Sequence, residues 1–318
     1  MSANTAMSAN TAMGANTAMS AGVAIGADSP FTGLFVPLIT PFTDDGELAP
    51  DALGALARHV LDQGATGIVA LGTTAETPTL TESERSRILD ICAGVCEERS
   101  AVLIAGTGSN DTARSIEALE RLKRWPHVGA ALTVVPYYSR PGEAGVIEHF
   151  SRLAQASPVP LIIYNIPYRT GQTLSWAAVC QIAALPNVAG VKHAVGGIDV
   201  DTVAMMAARP PGFSVLAGDD VFASALLGLG AQGAILASAH VATSDFARLV
   251  EAWRTGCTDA ARPLGHKLTA LAQTLFAEPN PTVIKGVLHA LRLIPSPAVR
   301  LPLLPASDAS VMAALAVG

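Results

Sequence analysis

From Phe31 onward, short apolar runs alternate with longer amphipathic ones. The strand candidates are Leu34–Ile39, Ile68–Leu71, Val102–Ala105, Ala131–Val135, Leu161–Asn165, Val188–Lys192, Ser214–Ala217 and Ala234–Ala237, eight in all. Each reads as a nearly continuous apolar run rather than a polar/apolar alternation, as strands covered on both faces do. Between them the 3.6-residue period predicts helices over Asp51–Gln63, Glu82–Glu98, Thr112–Arg124, Ala144–Ala156 and Trp176–Leu185. Thr81 followed by Glu84 is a capping box, and Ser109, Asn110 and Asp111 offer N-cap acceptors. Eight strands, each followed by a helix, predict an α/β fold of the (β/α)8 TIM-barrel type, with a doubly wound open sheet as the competitor. Asp259–Phe276 and Thr282–Leu291 read as extra C-terminal helices on either side of the break Pro279-Asn280-Pro281.

The organisation that follows is a tail at 1–30, a barrel at 31–243, and at 244–318 the last barrel helix with a helical extension of the same domain. In the tail, Ser2–Met7, Ser8–Met13 and Gly14–Met19 repeat a six-residue unit. With no charge before Asp28 and no aromatic group before Phe31, it has little to bury and is expected to be disordered. Met7, Met13 and Met19 each offer an alternative start. The tail lacks the basic start of a secretory signal and the arginines of a transit peptide.

The 318 residues are 50% apolar and 14% charged with a net charge of −6, and no Lys/Arg cluster points to nucleic acid. No apolar run reaches the ~20 residues that a bilayer span needs. Cys92, Cys96, Cys180 and Cys257 are sparse, lack zinc-site companions, and read as reduced thiols of a cytoplasmic protein. The seven histidines show no paired metal spacing, so no metal is expected.

Candidate chemistry gathers where strands end. Lys192, one of four lysines, is the only one in a strand-like run, Val188-Ala189-Gly190-Val191-Lys192-His193-Ala194. Either it ends its strand in water, or it is buried and its amine serves as a nucleophile toward ketones. Lys123, Lys267 and Lys285 fall in helix-like stretches where a solvated face accounts for them. Gly72-Thr73-Thr74-Ala75-Glu76 offers hydroxyls and N–H groups for a small carboxylate, or is simply a turn. Tyr137, Tyr138, Tyr164 and Tyr168, the only tyrosines, follow strands four or five, where one can pass protons. Arg169 suits bidentate carboxylate binding, and Arg140 offers the same or a subunit contact. Asp219 and Asp220 follow strand seven, with helix capping the expected role for Asp220. His193 should face away from Lys192.

Six motifs occur in order: Gly72-Thr73-Thr74-x-Glu76, Pro136-Tyr137-Tyr138, Tyr164-Asn165-x-Pro167-x-Arg169-Thr170-Gly171, Gly190-Val191-Lys192, Gly218-Asp219-Asp220 and Glu278-Pro279-Asn280-Pro281. Over Phe31 to Pro305 the chain thereby resembles the dihydrodipicolinate synthase / N-acetylneuraminate lyase family of class I aldolases. The resemblance implies that Lys192 forms a Schiff base with C2 of pyruvate and that Tyr164 is the proton donor and acceptor. It implies that Thr73 links Tyr164 to Tyr138 from a neighbouring subunit, that Thr74 and the Ile235 backbone hold the pyruvate carboxylate, and that Arg169 binds the second substrate. That substrate is aspartate semialdehyde in the synthases. The implied assembly is a homotetramer of tight dimers, with no cofactor, no metal, no nucleic-acid partner and no membrane.

Several positions depart from the family pattern. Ala75 replaces a glycine and is expected to reshape its loop. His193 replaces an acid, and Tyr168 stands where a serine is common. A histidine and a glutamate of the lysine-inhibited synthases correspond to Glu82 and Arg114, so lysine feedback is not expected. Arg169 with the Thr73–Tyr138 pair favours 4-hydroxy-tetrahydrodipicolinate synthesis over sialic acid cleavage. Tyr168, His193 and Ala75 instead suit a related pyruvate-dependent aldolase or dehydratase acting on another 2-oxo acid.

Overall fold

A computed structural model describes residues 30–318. The expected disorder of the N-terminal tail falls on residues 1–29, outside the described part. The strands are β1 (Gly33–Pro37), β2 (Gly67–Ala70), β3 (Val102–Gly106), β4 (Val128–Val134), β5 (Leu161–Asn165), β6 (Val188–His193), β7 (Ser214–Ala217) and β8 (Gly233–Ile235). Each pairs in parallel with the next, and β1 with β8, closing an eight-stranded barrel. The helices are α1 (Pro50–Asp62), α2 (Glu82–Arg99), α3 (Thr112–Arg121), α4 (Glu143–Ala156), the single turn α5 (Pro167–Thr170), α6 (Trp176–Ala183), α7 (Val200–Ala208), α8 (Ala223–Gly228), α9 (Thr243–Arg254), α10 (Thr258–Leu275), α11 (Thr282–Ala290) and α12 (Asp308–Val317). The open-sheet alternative is excluded by the β1–β8 pairing.

Two apolar clusters explain the unbroken apolar runs. One fills the barrel, with Phe35, Val69, Ile104, Leu132, Ile162, Leu216 and Ile235 pointing inward. The other lies between strands and helices and includes Val36, Ile68, Leu103, Ile163, Val191 and Val215. Alternate residues of one strand thus enter different cores, as a period of two requires. Each fully buried Leu, Ile or Val contributes about 1.5–3 kcal/mol, so strand position is set by packing on both faces.

Differences from the expected boundaries have local causes. β4 starts at Val128 rather than Ala131, taking in Gly129, which carries no apolar signal. β8 ends at Ile235, because Ser238–His240 forms a 3-10 turn. The Thr81–Glu84 capping box forms as expected, and Asp111 caps α3 by accepting from the Arg114 N–H at 2.7 Å. Beyond α9, α10 packs on α9 and α12, and α11 on α12.

His240 fastens the mouth of the barrel. Its Nε2 accepts from the Ile39 N–H at 3.1 Å, so the ring proton sits on Nδ1 and is donated to the Ala237 carbonyl at 2.7 Å. Burial pushes His149, His193 and His240 down from the ordinary 6.5 to about 4. The unfolded chain takes up these protons below its ordinary value, while the folded protein resists, so stability present above 6.5 is lost as the pH falls toward 4. We expect the thermal midpoint to drop across that window and His240→Gln to flatten part of the slope. Calorimetry at fixed ionic strength checks this, and a midpoint independent of pH there contradicts it.

Candidate active site

Lys192 lies on the inward face of β6, with Tyr164 of β5 and Leu216 of β7 as its register partners. The side chain is only 6% exposed, and its Nζ stands 4.3 Å from the centroid of the Tyr164 ring. Among the described residues it makes no ion pair. Its stem needs the space above Gly218: a Cβ there would come within 2.6 Å of Lys192 Cγ and 2.9 Å of Cε. The glycine ending β7 is therefore a matter of close approach.

Asp219 and Asp220 follow that glycine. Asp220 is not a helix cap, contrary to expectation: the helix α8 begins three residues later without a side-chain cap. Its Oδ1 instead accepts from the Ser238 N–H at 2.6 Å, tying the β7 loop to the β8 turn. Burial raises the Asp220 carboxyl to about 6, against that hydrogen bond and the nearby Lys192 charge, which lower it. Burial also raises Asp219.

The turn after β2 supplies the hydroxyls. Thr73–Ala75 forms a 3-10 turn, with Thr74 buried and Thr73 exposed at the mouth. Ala75 is not among the residues with positive φ. Left-handed residues flank it at Leu71 (φ 57°) and Glu76 (φ 54°), while Ala75 is buried and its carbonyl accepts from Thr40 Oγ1 at 2.8 Å. Thr74 Oγ1 accepts from Asn280 Nδ2 at 3.0 Å, which leaves its own proton free to donate. Ile235 ends β8 in the barrel interior, fully buried.

A cavity of about 610 Å³ opens over the ends of β2 to β5, lined by Thr73, Tyr137, Tyr164 and Arg169; Lys192, Thr74 and Ile235 are not part of its lining. It runs outward between α2 and α3, where Glu82 and Arg114 also line it. Arg169 is exposed at its rim, with its guanidinium 5.7 Å from the Tyr168 ring centroid. Arg140 packs against the backbone of Gly171, whose φ of +69° and missing side chain admit it. Tyr138 is 91% exposed in a left-handed conformation (φ 70°), and makes no hydrogen bond to Thr73 within this chain. Of the four tyrosines, Tyr164 lies within β5 rather than after it, which is why it alone is buried at 6% exposure.

His193 faces outward, as expected. Its Nε2 meets Thr202 Oγ1 at 2.9 Å, and that hydroxyl is donated to Asp199 at 2.7 Å. Lys285, expected on a solvated face, is fully buried and paired with Glu76 Oε1 at 2.5 Å. The sequence signal for this is the run Val283-Ile284-Lys285-Gly286-Val287-Leu288, in which Lys285 is the only charge and no polar face accompanies it. Asn280 belongs to the Glu278-Pro279-Asn280-Pro281 motif, and its contact with Thr74 is visible only in the fold.

The pattern that defines the dihydrodipicolinate synthetase family matches residues 30–315. The chain belongs to that family. A family member from Moorella thermoacetica, named 4-hydroxy-tetrahydrodipicolinate synthase, is 40% identical over 270 residues, covering 85% of this chain and 91% of its own. A protein of the same name from Syntrophus aciditrophicus is 40% identical over 276 residues, 86% of this chain and 92% of its own. Among solved structures, the dihydrodipicolinate synthase from Aquifex aeolicus superposes with a TM-score of 0.85 at 33% identity, covering 90% of this chain and 97% of that one. The chloride-inhibited dihydrodipicolinate synthase from Acinetobacter baumannii, complexed with pyruvate, gives 0.86 at 34% identity over 90% and 97%.

Gly218 provides a direct check on how Lys192 is held. Gly218→Ala should drive the lysine stem from its place and slow capture of a 2-oxo acid by roughly 10²-fold, the scale of an ångström-sized misplacement. Pre-steady-state capture of pyruvate would measure it, and parental kinetics in the variant would show that the stem needs no such space.

Proposed function

We propose that the protein is a 4-hydroxy-tetrahydrodipicolinate synthase, condensing pyruvate with aspartate semialdehyde. The observation that carries this reading is the β5–β6 register, in which the Lys192 amine and the Tyr164 ring share one apolar wall. The name shared by the relatives agrees with it, as does the pyruvate complex of the Acinetobacter baumannii enzyme.

In the reaction, Lys192 Nζ adds to C2 of pyruvate and water leaves, giving an iminium. The iminium draws electrons from the methyl group, which loses a proton to become an enamine. The enamine carbon bonds to the aldehyde carbon of the second substrate, whose oxygen takes up a proton. The amino group of that substrate then adds to C2, closes the ring and releases Lys192. Tyr164 moves the protons. Thr74, whose hydroxyl proton is free because Asn280 donates to its oxygen, holds the pyruvate carboxylate with the backbone at Ile235. Arg169 holds the second carboxylate. Only groups of the polypeptide take part.

Tyr138, exposed and out of reach of its own Thr73, is assigned to the neighbouring subunit's relay in a homotetramer of tight dimers. Among the described residues no helix is long and apolar enough to cross a membrane; a cytoplasmic location is part of this reading. Glu82 and Arg114 in the outer cavity do not reproduce the lysine-binding set, so lysine inhibition is not part of this reading.

A second reading has one observation in its favour. Tyr168 lies against Arg169, where the aldehyde would dock, and its bulk suits a different 2-oxo acid in a related aldolase or dehydratase. Purified protein should consume pyruvate with aspartate semialdehyde, lose this in Lys192→Ala, and slow by roughly 10²–10⁴-fold in Tyr164→Phe. Turnover of other aldehydes with none for aspartate semialdehyde would select the second reading.

A further inference from the structure

Three points of the C-terminal extension grip the turn after β2, some two hundred residues away in sequence. Asn280 donates to Thr74 Oγ1 at 3.0 Å. Lys285 Nζ, 0% exposed, donates to Glu76 Oε1 at 2.5 Å and to the Ala298 carbonyl at 2.7 Å. The backbone N–H of Arg300 donates to the other Glu76 oxygen at 2.9 Å.

Phe42 is held from two sides, with Lys285 Nζ 4.1 Å and Arg300 Cζ 4.3 Å from its ring centroid. The Arg300 guanidinium also reaches Glu84, the capping residue of α2, and the carbonyls of Gly46 and Thr79. It thereby holds the Glu84 carboxyl down at about 2. Burial pulls the Lys285 ammonium down to about 8, and the Glu76 carboxylate opposes the fall.

Glu76 also has a left-handed backbone (φ 54°), a conformation that costs a residue other than glycine some strain and that its buried partners here offset. Where the family commonly has a glycine, Ala75 lies immediately before it and is accommodated without positive φ. The carboxylate therefore anchors the backbone that presents Thr73 and Thr74. A buried ion pair is a poor source of net stability relative to an apolar pair, and its best-attested use is to fix register. The location of this pair, beneath the carboxylate-binding hydroxyls, matches that use.

We propose that Lys285 and Glu76 are positioning residues: a buried pair by which the C-terminal extension sets the Thr73–Thr74 turn to receive the carboxylate of the 2-oxo acid. This rests on the Schiff-base reading above. It assigns a task to a lysine that touches no substrate and to a segment outside the barrel.

The test is borohydride trapping of pyruvate on Lys192 by mass spectrometry, titrated against pyruvate, alongside steady-state kinetics and thermal midpoints. The variants are Glu76→Gln, Lys285→Met and the double variant. The double variant leaves no unpaired buried charge, which keeps it folded even where Lys285→Met alone is not. We expect the half-saturating pyruvate concentration to rise by about 10–100-fold in the variants, as for misplaced positioning groups. At saturating pyruvate the adduct should still form on Lys192, and the KM for the aldehyde, which is held by Arg169, should stay at the parental value. Lowered thermal midpoints with unchanged half-saturation would overturn the assignment and leave the Schiff-base reading intact. No adduct on the parental Lys192 would overturn that reading, and this assignment with it.

Discussion

A lysine amine enclosed by an apolar barrel wall, with no carboxylate paired to it among the described residues, is the constraint around which the other features are arranged. Burying such a group costs several kcal/mol unless it is paired or has somewhere to put its charge, and the cost is tolerable only at the mouth of the barrel. Lys192 meets the condition by position: it is buried, yet its end reaches the level where the strands give way to loops. The β5–β6 register decides which face it takes, since a slip of one residue would turn Lys192 toward the helices and bring His193 inward. Gly218 then leaves room for the stem, and the two-sided apolar packing of the strands keeps that register from slipping.

The chain contains a second buried lysine, and the contrast between them separates chemistry from architecture. Lys285 is more deeply buried than Lys192, but it has a carboxylate, a backbone carbonyl and an aromatic ring around its ammonium. Its ammonium is engaged by all three, although burial still pulls it down to about 8. Lys192 has the face of Tyr164 and, without an ion pair, the nearby carboxyls of Asp219 and Asp220. Of two lysines hidden from water, the one outside any ion pair is the one proposed to bond a carbonyl carbon.

Much of this was legible in the sequence because the barrel writes its strands as unbroken apolar runs, in which a lone lysine stands out. The helices α1 to α4 were legible from their period, and α2 also from its capping box. What was not legible depends on contacts between distant segments. Asp220 looked like a helix cap, because nothing local reveals that Ser238 lies opposite it. Lys285 looked solvated, although its apolar flanks on all sides were a signal in plain view. Glu76, in left-handed backbone, carries a carboxylate fixed by partners at positions 285 and 300, which nothing local to the turn reveals. The role proposed for the exposed Tyr138 lies across a subunit boundary, which one chain cannot contain.

The most direct test of the central claim is a crystal structure of the protein soaked in pyruvate. The account predicts continuous density between Lys192 Nζ and C2 of the ligand, with the carboxylate on the Thr74 hydroxyl and the Tyr164 hydroxyl beside the new bond. Pyruvate lying in the cavity with no covalent link, or joined to a different lysine, would contradict it.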